Sequence, residues 1–139
     1  MKKHLFGMAL LTCLVAMGGI ASAQTIDEIQ VYTPVGVPAS PFAGTVVTVE
    51  GVLFERGQFS GGSNYLLDDA GNGISIYQTN TNVVGDRVTA TGTVGAFSGE
   101  IQLGTVTFGY ISSGNTLTPT PMTISELKEL LKSKNLPVS

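Results

Sequence analysis

Two short stretches of this 139-residue chain hold the residue types and spacing that chemistry requires. "DDAGNG", residues 68–73, has the acid and amide oxygens around glycine that calcium loops use. "VGD", residues 84–86, has the glycine of a phosphate-cradling turn. An EF-hand loop needs oxygen ligands at alternate positions, glycine at the sixth and a bidentate Glu at the twelfth. With Gly73 at the sixth position, Asp68 is first and Asn72 fifth, but Ala70 falls at the third and Thr79 at the twelfth. A hairpin turn accounts for the stretch without a metal. "VGD" lacks the several glycines and the helix start that hold phosphate, and reads as a tight turn into a strand.

Carboxylate chemistry fares no better. Asp68 and Asp69 are neighbours, and neighbours on a strand point to opposite faces, so they cannot flank one substrate bond. No serine stands in a nucleophile elbow. The only His, His4, and the only Cys, Cys13, lie in a segment that reads as a leader. Lys2 and Lys3 precede an uncharged apolar run from Leu5 to Ile20, closing on the small-residue pattern Ala21-Ser22-Ala23. That is a secretory signal peptide over residues 1–23, too short to span a bilayer, and it implies an exported protein, periplasmic or extracellular. Without it the chain has no imidazole or thiol, so catalysis and zinc ligation by His or Cys are excluded. The expectation is a non-enzyme with no metal and no cofactor. Loss of the two leader lysines leaves five basic against ten acidic residues, a balance of −5.

The elements that remain are mostly strands. "TIDEIQ", residues 25–30, carries the Thr-x-x-Glu box of a short helix. Residues 31–44, with three prolines, read as an extended lead-in over the core. "TVVTVEGVLFE" is a β-branched strand, with Gly51 placed where it must bend. "NYLLD" and "GISIYQ" flank a short turn, and "RVTATGTVG" alternates with Val88, Ala90, Gly92 and Val94 on one face. Residues 79–86 are too short and polar for a packed helix, and "IQLGTVTFGYI" closes the set. Five strands with regular turns predict a small antiparallel barrel or sandwich over roughly residues 45–112. A second capping box opens "TISELKELLKSKNL", whose apolar residues fall at helical spacing before Pro137. Its Thr-Ile-x-Glu-Leu matches Thr25 to Ile29 at an offset of 98, so residues 122–139 read as a C-terminal helix that opens a second repeat.

The order "SPFAGTVVTVEGVLFE", "YLLDDAGNGISIY", "VGDRVTATGTVGAFSGEIQLG" resembles the OB-fold modules of secreted bacterial nucleases and related cell-surface proteins. The likeness covers residues 25 to 121, with the domain itself placed at 24–121. It implies an all-β, five-stranded OB-type Greek-key barrel that binds across its second and third strands. It implies single-stranded nucleic acid as ligand; the alternative reading is a protein- or glycan-interaction or structural module of a secreted or cell-surface protein.

Alternation then places Tyr65, Leu67, Ile74 and Ile76 on the core face, and Leu66, Asp68, Ser75 and Tyr77 outside. The expected ligand-binding face is Tyr77 as stacking platform, Phe59 and Phe97 from the loops, and Arg56 and Arg87 as the barrel's only cations. Loop anchoring is the plain alternative for the two phenylalanines, and solvated surface charge for the arginines. Two arginines on an acidic barrel neutralise few phosphates, and phosphate contacts supply most non-specific affinity for nucleic acid. The leader generates the first prediction: N-terminal sequencing of the exported protein will read from Gln24, and an uncleaved membrane-bound species would contradict it.

Overall fold

The computed structural model describes residues 22–119 and 121–133. The segment read as a leader, apart from Ser22 and Ala23, lies outside the described residues. Those two form a short strand, β1 (Ser22–Ala23), parallel to the start of the first long strand. Helix α1 (Ile26–Ile29) follows, with its capping box formed as the sequence predicts. Thr25 Oγ1 accepts from Glu28 N at 3.3 Å, and Thr25 N donates to Glu28 Oε2 at 3.0 Å. The cap fixes the helix so that Ile26 and Ile29 both enter the core. The lead-in behind it packs Tyr32 and Phe42 on the same core, and Tyr32 Oη accepts from Ile101 N at 3.0 Å.

Strand β2 (Val46–Gly57) pairs antiparallel with β5 (Arg87–Phe97) from Val46 to Val52, and with β3 (Ser63–Leu67) from Val52 to Glu55. Gly51 lies at the changeover. A Cβ there would stand 2.8 Å from the Leu67 carbonyl oxygen, a clash with backbone, so the strands approach this closely only over a glycine. β3 and β4 (Gly73–Tyr77) form an antiparallel hairpin. β4 runs parallel to β6 (Glu100–Ser112), which pairs antiparallel with β5. The β2–β5 pairing closes the order β2, β3, β4, β6, β5 into a ring. Residues 78–86, between β4 and β5, form no helix. The alternation of β5 holds from Arg87 to Gly95, with Val88, Ala90 and Val94 buried inside the ring.

Both suspicious loops are turns. Asp68 Oδ1 accepts from Ala70 N at 3.0 Å and from Asn72 N at 2.8 Å, an arrangement that shapes the β3–β4 hairpin. Asp86 is buried, its carboxylate accepting from Val83 N at 2.9 Å and from the Ser113 hydroxyl at 2.9 Å. That pair of contacts ties the turn before β5 to the chain that leaves the barrel after β6.

The structure corrects the phase of β3. Asn64 and Leu66 point inward opposite Ile76 and Ile74, while Tyr65 and Leu67 lie on the outer face. The placement of Ile74 and Ile76 in the core and of Tyr77 on the exposed outer side of β4 stands, whereas Ser75 shares that side but is buried, 3% exposed. The strand also stops at Leu67, so Asp68 belongs to the turn. The reason for the reversal is Asn64, a polar residue at a core position. Its side-chain amide donates to the carbonyls of Gly62 (3.2 Å), Ile76 (3.3 Å) and Gln78 (2.6 Å) and accepts from Gly57 N at 3.3 Å. A buried amide with every bond made carries little penalty, and the alternation rule does not foresee it.

The C-terminal helix, α3 (Ile124–Ser133), repeats the capping box, with Thr123 Oγ1 accepting from Glu126 N at 3.2 Å. Unlike α1 it buries none of its residues. The corrected phase predicts that Leu66→Ala will cost about 2–5 kcal/mol in denaturant unfolding. Leu67→Ala should cost less than half as much, and the opposite ranking would restore the sequence-based phase.

Candidate binding cleft

On the outer face the register sets side chains in rows. Ser63, Tyr77 and Gly104 stand across from one another on β3, β4 and β6, and Tyr65, Ser75 and Gln102 form the next row. β5 and β6 meet in a two-residue turn at Ser98 and Gly99, both at positive φ (51° and 83°), as a tight hairpin requires. Phe97 and Glu100 face each other across it. These rows wall a cleft of about 610 Å³, within the range of small-ligand sites, and Phe59 reaches into it from the β2–β3 connection.

Asn64 also positions that connection. The turn α2 (Gln58–Gly61) enters through Gly57 and leaves through Gly62, and the Asn64 side chain bonds the backbone of both. Between those ties Phe59 and Ser60 take left-handed φ values of 47° and 67°, uncommon for residues with a Cβ. Phe59 is left 76% exposed at the mouth of the cleft. Gln78 N donates to Gly62 O at 2.8 Å, drawing the end of β4 against the loop. The Tyr77 ring, 57% exposed, lies directly on Gly62, where a Cβ would fall 2.6 Å from its Cε2.

Of the five residues expected on the ligand face, the structure gathers Tyr77, Phe59 and Phe97 around one cleft. Arg56 and Arg87 are not in its lining. Arg56 is exposed near the end of β2. Arg87 borders a separate depression with Asp69, and bonds Asp69 Oδ1 at 2.5 Å and Glu50 Oε1 at 3.1 Å. Its hydrogen bond and charge hold the Asp69 carboxyl below the usual carboxylate range. Five lining residues escaped the sequence reading: Ser63, Tyr65, Ser98, Glu100 and Gln102. Tyr65 was assigned inward with the β3 phase. Its ring centroid lies 5.9 Å from that of Phe54, extending the aromatic surface onto β2. Glu100 and Gln102 were legible from the alternation with Ile101 and Leu103, both of which point into the core. Partial burial raises the Glu100 carboxyl above the ordinary range for glutamate.

The strand order, with one parallel pair closing an otherwise antiparallel ring, is that of an OB-type Greek-key barrel. The cleft occupies the outer face of β3 and β4, the second and third strands of the ring, where OB-folds hold ligands. The chain matches no protein-family model and no curated protein sequence. Among solved structures it is similar to that of the hypothetical protein ygiW from E. coli, at 21% identity and a TM-score of 0.49. That match covers 68% of this chain and 99% of the other. A likeness of this grade carries no functional argument, and the barrel assignment rests on the pairing itself.

The contact between Gly62 and Tyr77 generates a prediction that needs no ligand. Gly62 has an ordinary φ of −92°, so Gly62→Ala is tolerated by the backbone and displaces the Tyr77 ring. The Tyr77 ring resonances should shift, while stability stays within about 0.5 kcal/mol, because the group that must give is an exposed ring rather than backbone. Unchanged tyrosine signals would refute the stacking.

Proposed function

We propose that this chain is a non-catalytic, exported OB-type binding module whose cleft takes an extended ring-bearing chain by stacking, and that this chain is a glycan. The observation that carries the reading is the composition of the cleft. Phe59, Tyr65, Tyr77 and Phe97 supply apolar ring faces, Ser63, Ser75, Ser98 and Gln102 supply hydroxyls and an amide, and the lining includes no Lys or Arg. Aromatic faces pack against the C–H faces of sugar rings, and hydroxyl and amide groups exchange hydrogen bonds with sugar hydroxyls. A polyanion meets no counter-charge there.

Single-stranded nucleic acid is the second reading. Two features favour it: the likeness to the modules of secreted nucleases, and the placement of Tyr65 and Tyr77 on the strands where OB-folds stack bases. Electrostatics weighs against it. Arg87 is already engaged by two carboxylates, and the acidic surplus of the domain repels phosphate at long range. The absence of His, Cys and a nucleophile elbow from the exported chain supports a binding role over a catalytic one.

A salt titration separates the two ligands. Binding of a neutral hexasaccharide, read from a panel of glucose and N-acetylglucosamine oligomers, should be nearly flat in salt. Binding of a thymidine dodecamer, if it is the ligand, should fall steeply. Tyr77→Ala should weaken the true ligand roughly ten- to a hundredfold, the equivalent of the ~1–3 kcal/mol a stacked ring contributes. Salt-steep oligonucleotide binding with no saccharide binding would replace the first reading with the second.

A further inference from the structure

The cleft lining holds one charged side chain, and it is an acid. Glu100 opens β6 directly after the Ser98–Gly99 turn, with Phe97 facing it across the hairpin. Tyr77 belongs to the same wall but stands two rows away, opposite Gly104 and against Gly62, with Ser75 and Gln102 in the row between. Among the described residues no Lys or Arg is ion-paired with Glu100, whereas Arg87 is held elsewhere by Glu50 and Asp69. A carboxylate in this setting has lost part of its hydration without gaining a cation, and partial burial raises its pKa accordingly.

Rings and acid favour the same kind of guest. The π face of an aromatic ring carries negative potential and attracts an ammonium group within about 6 Å of its centroid. A carboxylate beside the rings adds a full opposite charge, and the acidic surplus of the domain draws cations toward the surface. A neutral sugar would leave the Glu100 charge uncompensated, and a phosphate chain would be repelled by it.

We propose that Glu100, together with the ring of Phe97 that faces it, forms an ammonium subsite, so that the cleft prefers a glycan bearing free amines over its neutral counterpart. The inference rests on the binding-module reading above and adds the charge of the ligand. Tyr65, one row from Glu100, Tyr77, two rows away, and Phe59, at the mouth, provide stacking surface for adjoining sugar rings.

The test uses two probes that share rings and differ in charge. Glucosamine hexamer, at mildly acidic pH where its amines are protonated, is compared with N-acetylglucosamine hexamer by NMR titration of the exported chain. The amine-bearing hexamer should bind at least about fivefold tighter, the scale of a cation–π contact at a partly exposed site. The perturbations that distinguish it from the acetylated hexamer should centre on Phe97 and Glu100. Glu100→Gln, which keeps the side chain's shape and removes its charge, should bring the two hexamers to parity, and Tyr77→Ala should weaken both. Equal affinity, or a preference for the acetylated hexamer, overturns the ammonium subsite and leaves the glycan reading intact. Perturbations centred on Asp27, Glu28 or Asp69 also overturn it, because they mark unspecific attraction to surface acids. Failure of both hexamers to bind overturns the subsite together with the glycan reading.

Discussion

Closure of the ring depends on β2 serving two neighbours. Its first half bonds β5 and its second half bonds β3, so the strand must change partners near Val52 without losing its inward residues. Gly51 permits this, because the Leu67 carbonyl comes too close for any side chain at that position. A flat strand would leave one edge of the sheet unpaired, and unpaired edges invite association with other chains. With β2 shared, Val47, Val49 and Leu53 reach the same core as Ile101 and Leu103 from across the barrel. Ile26 and Ile29 are added to it by the capped turn of α1.

Asn64 joins that architecture to the cleft. It occupies a core position and is 0% exposed, and leaving its amide unsatisfied would cost about 1–3 kcal/mol. Its partners are backbone groups at both ends of the β2–β3 connection and at the end of β4. The same four bonds that satisfy a buried polar group therefore also fix the loop and strand end that bring Phe59 and Tyr77 to one cleft. The loop has little packing of its own, and its shape comes from a residue outside it.

Charge is divided between two regions of the surface. Arg87, Glu50 and Asp69 form a solvent-exposed network on one side, of the kind that contributes little to stability and is screened by salt. The aromatic cleft has a lone acid and hydroxyl-bearing neighbours. Stacking and cation recognition both suit such a lining, whereas phosphate recognition requires cations that the barrel has placed elsewhere. An OB-type fold by itself does not decide between these, since the fold hosts many ligands and the side chains of the cleft select among them.

Much of the barrel was legible in the sequence because strand alternation and capping boxes are local rules. The period of "RVTATGTVG", the box of "TIDEIQ" and the turn at "DAGN" each follow from residues within a few positions of one another. Phe59, Tyr77 and Phe97 could be singled out as exposed aromatics on loops and on an outward strand position, though not as one cleft. The phase of β3 was beyond local rules. In "NYLLD" both alternations place a leucine inward, and the choice turns on whether Asn64 finds partners, which lie at Gly57, Gly62, Ile76 and Gln78. Only the folded chain brings those groups together, and with them it carries Tyr65 to the outer face. The position of Arg87 was likewise a tertiary outcome: register pairs it with Val52 and Ser112, at the opposite end of β5 from Phe97, and its carboxylate partners are 37 and 18 residues away in the chain.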